Sequence, residues 1–241
     1  MRIAKIVLLI VLIILMIFTV TYASNVFNSG ETIYKGSTYA AGSFEVKKDI
    51  DFPDLITEVY NKRTQKYDKV IHEDRREILM AARIGFLEGY EDGTFKPDNP
   101  ITRAEFIKML MGISTNRTFN FSTIPTTYTN WAGRYVTLAE MQGVIEKGEY
   151  TEAELEEPIT RLEVVCMLAK VQIKMKGIAQ SQLGRLIFTD IDALTEEEKE
   201  LLLHAASYDL LEGMKDGSMT EFEPNKNITR AETARALVRI Y

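Results

Sequence analysis

A five-residue string, Ile-Thr-Arg-(Ala or Leu)-Glu, occurs three times, at Ile101 to Glu105, Ile159 to Glu163 and Ile228 to Glu232. The copies lie 58 and 69 residues apart, a spacing that marks repeated supersecondary units. The flanks repeat as well. Upstream of the first copy runs Gly85-Phe86-Leu87-Glu88-Gly89-Tyr90-Glu91-Asp92-Gly93-Thr94-Phe95-Lys96-Pro97. Upstream of the third runs Leu210-Leu211-Glu212-Gly213-Met214-Lys215-Asp216-Gly217, reaching Phe222 and Pro224. The middle copy keeps Gly143-Val144-Ile145-Glu146-Lys147-Gly148 but has Glu149-Tyr150-Thr151-Glu152 in place of Asp-Gly, so its loop must take a different shape.

Each unit reads as helix, turn-rich loop, helix. Ile78, Leu79, Ala81, Ala82 and Phe86 follow helical spacing, and Gly89 is placed to cap that helix. The counterparts are Val136, Leu138 and Ala139, then Leu201, Leu202, Ala205 and Ala206. The second helices carry Ala104, Ile107, Leu110 and Met111, then Leu162, Val165, Leu168 and Ala169, then Ala231, Ala234, Leu237 and Val238. Every stripe is apolar on one face only, and a pair of such short helices buries little alone. The expected fold is therefore mainly all-α, with three docked helix-loop-helix units over residues 50–114, 125–175 and 186–241. The first unit has an insertion, Lys62 to His72, between Phe52-Pro53-Asp54 and its leading helix.

Most of the pentapeptide has a structural explanation. Thr followed three residues later by Glu is a capping box, in which hydroxyl and carboxylate each take one backbone N–H at the helix start. The arginine is different. Arg103, Arg161 and Arg230 fall at the first helical position, where the helix dipole disfavours a cation by about 0.3–1 kcal/mol. Two explanations stand side by side: a salt bridge to a neighbouring unit's carboxylate, or capture of an anion by the guanidinium together with free N–H groups of the helix start.

Composition excludes several classes. Lys plus Arg number 29 against 35 Asp plus Glu, a net charge of −6, which argues against a sequence-independent nucleic-acid binder. One cysteine, Cys166, excludes an intramolecular disulfide and a multi-thiolate zinc site, and with no nearby histidine it reads as a bystander rather than a nucleophile. Asp92, Asp98 and Asn99 do not have calcium-loop spacing and read as turn residues, so neither metal nor cofactor is expected. No pair of acids forms a recognisable catalytic arrangement. Trp131 is the single tryptophan; burial in the core is its default role and stacking on a sugar ring the alternative.

The N-terminus has the layout of an export signal: Arg2 and Lys5, an apolar run from Ile6, and the small-residue pattern Thr21-Tyr22-Ala23. Residues 1–23 read as a signal peptide and 24–49 as a Ser/Gly/Asn/Thr-rich linker. The alternative is a retained membrane anchor, since Ile6 to Ala23 spans 18 residues. Cleavage would leave a charge of −8. With the repeats taking nearly all the remainder, no length is left for an enzymatic domain.

A Trp-Ala near the start of a leading helix, a Gly-Tyr-x-Asp-Gly-Thr-Phe-x-Pro loop and an Ile-Thr-Arg-Ala-Glu helix start resemble the S-layer homology module. The resemblance covers three tandem copies from about residue 50 to 241. It implies a pseudo-threefold helical spindle whose inter-module grooves bind anionic, often pyruvylated, secondary cell-wall polysaccharide. By resemblance Arg103, Arg161 and Arg230 match polymer-contacting arginines, Asp92-Gly93 and Asp216-Gly217 match the family loop, and Trp131-Ala132 matches its aromatic position. The expected protein is a non-catalytic cell-wall-binding protein at the cell surface, its partner a peptidoglycan-linked polymer and not nucleic acid. The alternative is a membrane-to-wall tether or envelope scaffold with protein partners, in contact with the membrane only if residues 1–23 are retained.

Overall fold

The computed structural model describes residues 50–85, 87–115, 120–179, 186–211 and 221–241, all within the unit spanning Glu45–Tyr241. The export signal, the linker, Phe86, Asp216 and Gly217 lie outside the described residues.

Helices dominate. The first unit has α1 (Arg75–Arg83) and α2 (Arg103–Ser114); the middle has α3 (Gly133–Met141), the short α4 (Glu152–Leu155) and α5 (Arg161–Lys170); the last has α6 (Glu196–Ser207) and α7 (Arg230–Ile240). The capping box is present at all three pentapeptides, with Thr102, Thr160 and Thr229 accepting from the backbone N–H of Glu105, Glu163 and Glu232. Thr195 starts α6 with the same device, as its sequence implies, and Thr151 starts α4. Each such cap stabilises its helix by about 0.5–2 kcal/mol.

The leading helix of the first unit ends earlier than the Gly89 reading requires. Its last turn closes at Gly85, whose φ of +72° is a left-handed conformation that glycine adopts without strain. Gly89 instead makes room for a neighbour. A Cβ there would come within 2.4 Å of the Phe52 ring, so its hydrogen lets that ring pack against the loop.

The insertion before α1 is a two-stranded antiparallel hairpin, β1 (Ile56–Asn61) and β2 (Lys66–Ile71), which the helical reading does not contain. Its strands are rich in β-branched and aromatic residues, Ile56, Thr57, Val59, Tyr60, Tyr67, Val70 and Ile71, which favour extended backbone, and residues 62–65 form the turn. Tyr60 and Tyr67 face each other across the ladder with ring centroids 5.3 Å apart.

Helix packing runs cyclically. The main inter-unit helix contacts are α2 with α3, α5 with α6, and α7 with α1. The pentapeptides meet at the centre through a closed ring of backbone bonds: Ile101 donates to Ile228, Ile228 to Ile159, and Ile159 to Ile101, at 3.3, 3.1 and 2.9 Å. All three isoleucines are fully buried, so these polar groups are satisfied where water cannot reach them. The core continues outward through Phe106, Leu110, Val164, Leu168, Ala234 and Leu237, which come from the predicted stripes or lie beside them.

Candidate functional site

At each pentapeptide the arginine is the first residue of its helix, and its backbone N–H goes to a neighbouring unit. Arg103 donates to the Glu157 carbonyl, Arg161 to Lys226 and Arg230 to Asn99, at 3.0, 2.8 and 2.9 Å. The second N–H of α5 goes to Pro224 and that of α7 to Pro97, while the third goes to the capping threonine. The starts of α5 and α7 therefore have their first three N–H groups committed and α2 its first and third, which at α5 and α7 removes one half of the anion-capture reading. The N–H groups are used to join the units.

The side chains follow the same direction but end in different surroundings. Arg103 reaches the middle loop, where Nε donates to Glu163 Oε1 at 2.6 Å, Nη1 to the Glu154 carbonyl at 3.0 Å, and Glu157 lies at 3.4 Å. Burial opposes its charge, yet Glu163 and its neighbours raise its affinity for the proton. Arg161 reaches the last loop, donates to the Phe222 carbonyl at 2.9 Å and lies 3.9 Å from Glu232. Burial lowers its pKa despite the attraction of Glu232. Arg230 reaches the first loop, donates to the carbonyls of Phe95 and Glu88 at 2.9 and 2.8 Å, and lies 4.7 Å from the centroids of the Tyr90 and Phe95 rings. Among the described residues no carboxylate pairs with it.

The capping glutamate accounts for this gradation. Glu163 caps α5 with Oε2 and takes Arg103 chiefly on Oε1, at 2.6 Å, with Oε2 accepting a second, longer bond at 3.3 Å. Glu232 does the same for α7 but stands off from Arg161. Glu105 caps α2 and instead lines a groove beside Arg230.

That groove, of about 430 Å³, lies between the first loop, α2 and α3. Arg230 and Tyr90 line it, and so do Lys108 and Trp131, with the Lys108 ammonium 5.3 Å from the indole centroid. Trp131 is 55% exposed, so the core role expected of it by default does not hold. Its neighbour Ala132 is fully buried at the start of α3, which anchors the backbone while the indole projects outward. Lys108, Tyr90 and Tyr135 are site-lining residues that sequence reasoning misses; the one available signal is that Lys108 aligns with Cys166 and Arg235, a polar position on an otherwise apolar helix.

The corresponding surface between α7 and α1 is chemically different. It holds Glu73 and Glu77 where the first groove has Trp131 and Tyr135, and Arg235 where it has Lys108. Arg235 is tied to Asp74 at 2.8 Å. Cys166, at the matching position of α5, is partly buried, and burial pushes its thiol up to about 12, far from a thiolate at neutral pH.

Asp92 and Gly93 shape the first loop without lining the groove. The Asp92 carboxylate accepts from the backbone and hydroxyl of Thr94 and pairs with Lys96 at 3.1 Å, which holds its pKa down at about 2, the Thr94 bonds weighing most. Gly93 has φ +80° at the tip of the turn. The calcium-like acids are thus turn residues, and among the described residues no group of His, Cys, Asp and Glu is arranged to hold a metal. No described helix is long and apolar enough to cross a membrane.

Comparison with known proteins gives the following likenesses. The S-layer homology domain model matches residues 68–107 and 188–234. The chain is 29% identical over 163 residues to a cellulosome-anchoring protein of Acetivibrio thermocellus, and 27% over 167 residues to cell surface glycoprotein 1 of the same organism; each match covers 64% of this chain. It is 24% identical over 178 residues, 70% of its length, to an amylopullulanase of Thermoanaerobacterium thermosulfurigenes. The matched segments make up 35%, 7% and 9% of those proteins, so the likeness concerns a portion of each.

Proposed function

The chain carries S-layer homology sequence in two regions, and from that premise we propose that it is a non-catalytic cell-wall-binding protein with three such modules, over residues 50–114, 125–175 and 186–241, arranged as a pseudo-threefold spindle. It works outside the cytoplasmic membrane, at the cell surface. Its ligand is an anionic secondary wall polysaccharide, and pyruvylated sugar units fit the groove chemistry best. Arg230 supplies a buried fork for the carboxylate, Lys108 an exposed cation, and Trp131 an aromatic face for the ring.

The observation that carries this reading is Arg230, a buried cation beside an open groove that bonds to carbonyls and stacks near aromatic rings, with no carboxylate paired to it among the described residues even though Glu105 lines the same groove. A buried guanidinium with no paired carboxylate is favourable ground for an incoming anion, because no ion pair has to be broken and Glu105 is held by its cap on α2. Charge explains the rest of the design. A chain of net charge −6 does not attract a polyanion from afar, but screening over about 8 Å at physiological ionic strength leaves a local site effective. Affinity then comes from contacts inside the groove. The test is co-sedimentation with purified wall sacculi before and after the secondary polymer is removed. Binding should disappear with the polymer, and equal pelleting in both cases would sink the proposal.

A further inference from the structure

Among the described residues the other two units hold no counterpart of the hairpin β1–β2, which lies outside the packed helices. Its strands make their main contacts with each other and with the Pro53–Leu55 turn at their root. Five large apolar side chains are exposed on it: Val59, Tyr60, Tyr67, Val70 and Ile71. Isolated two-stranded hairpins are marginal in water, so this one displays side chains at some cost in stability.

Its charge is opposite to that of the body. Residues 56–71 hold four basic and two acidic side chains, whereas the rest of 50–241 holds twenty basic and thirty acidic. Lys62, Arg63 and Lys66 cluster at the turn, with Lys69 further along β2 and the Tyr60–Tyr67 pair just behind them. The root of the hairpin also adjoins the groove. Asp54, next to that root, holds the backbone N–H groups of Phe95 and Lys96 at 2.9 and 2.6 Å, and the same loop lines the groove at Tyr90.

We propose that this hairpin is a second contact surface for the anionic wall polymer, a basic and aromatic arm that captures the chain and delivers it to the groove. The inference rests on the groove reading above. Opposite charge on a projecting arm raises the encounter rate of a polyanion that the acidic body repels, and the tyrosines offer sugar rings two amphipathic faces. A second copy of the hairpin is a poor partner, since both would carry net positive charge.

The test uses the full-length chain, captured in neutral detergent, with soluble wall-polymer fragments flowed over it at several salt concentrations. A variant with Lys62→Gln, Arg63→Gln, Lys66→Gln and Lys69→Gln should lower kon about tenfold at low salt and flatten its salt dependence, with koff within twofold. Trp131→Ala should instead raise koff and leave kon unchanged. If the glutamine variant keeps the wild-type kon and salt dependence while Trp131→Ala still raises koff, the hairpin proposal is overturned and the groove reading stands. If neither variant alters binding, the groove reading fails as well. If the glutamine variant differs from wild type only in binding vesicles that contain phosphatidylglycerol, the arm meets a lipid surface and the proposal is likewise overturned.

Discussion

At the junction of the first and middle units Arg103 meets two carboxylates, while at the junction of the last and first units Arg230 meets none among the described residues. The two begin from the same pentapeptide and the same helix position. The loops that receive them differ. The middle loop continues into α4, buries Tyr150 and crowds Glu154, Glu157 and Glu163 around the guanidinium. The first loop is a tight Asp-Gly turn that leaves Tyr90 exposed and the groove open. The clamp that fixes each loop is also reversed. In the first unit Asp54 of the leading segment holds the loop backbone, and Asp190 does so in the last; in the middle unit the loop's Glu152 holds the backbone of Thr129 and Asn130 at 2.7 and 2.9 Å. A repeated motif thus sets position, and the receiving loop decides whether the cation is tied to carboxylates as a strut or is left beside an open groove.

The largest expected effect comes from breaking the strut. Arg103→Ala should cost about 2–3 kcal/mol by urea denaturation, because it strips a partly buried Glu163 of its partner. Wall binding of the folded protein should persist; its loss would mean that Arg103 also contacts polymer and that the two junctions are functionally alike.

Next is the clamp. Asp54→Asn should destabilise by about 1.5–2 kcal/mol, since a charged acceptor of two backbone N–H groups becomes a neutral one. Glu152→Gln should have a similar cost if the reversed clamp carries equal weight, and thermal melts of the two variants compare them directly.

Trp131→Ala tests the open side alone. The half-exposed indole contributes little to the core, so the melting temperature should hold while polymer affinity falls about tenfold by titration calorimetry. A drop in stability with unchanged affinity would return Trp131 to a packing role.

The smallest effect concerns pH. His204 is fully buried against Gln172, and burial lowers its pKa. The unfolded chain therefore takes up this proton more readily, so stability is present above the ordinary histidine range and is lost as pH falls through it. The urea midpoint should decrease between pH 7.5 and 5.5, and His204→Gln should flatten that slope. The effect lies at the junction of α5 and α6, away from the groove, so polymer affinity of the folded protein should not follow it.

Local patterns are legible wherever a residue acts on its own stretch of chain. The capping boxes, the apolar stripes and the different shape of the middle loop all follow from spacing and backbone chemistry within about ten residues. The hairpin is not legible as such, because a short exposed strand pair lacks the buried face that normally reveals strands. Trp131 reads as a core residue because large apolar side chains usually are, and only the position of α3 beside α2 turns it outward. The alignment of Lys108 with Cys166 and Arg235 is visible in the sequence, but not that Lys108 faces an indole while Arg235 is tied to Asp74.

By itself the sequence determined three equivalent helix starts and put an arginine at the head of each, since capping and periodicity act over a single turn. Tertiary structure decided what each arginine does. The carboxylates that neutralise Arg103 come from chain segments more than fifty residues away, as does the loop that receives Arg230 with no paired carboxylate among the described residues, and the burial that makes the difference matter exists only once the units have docked.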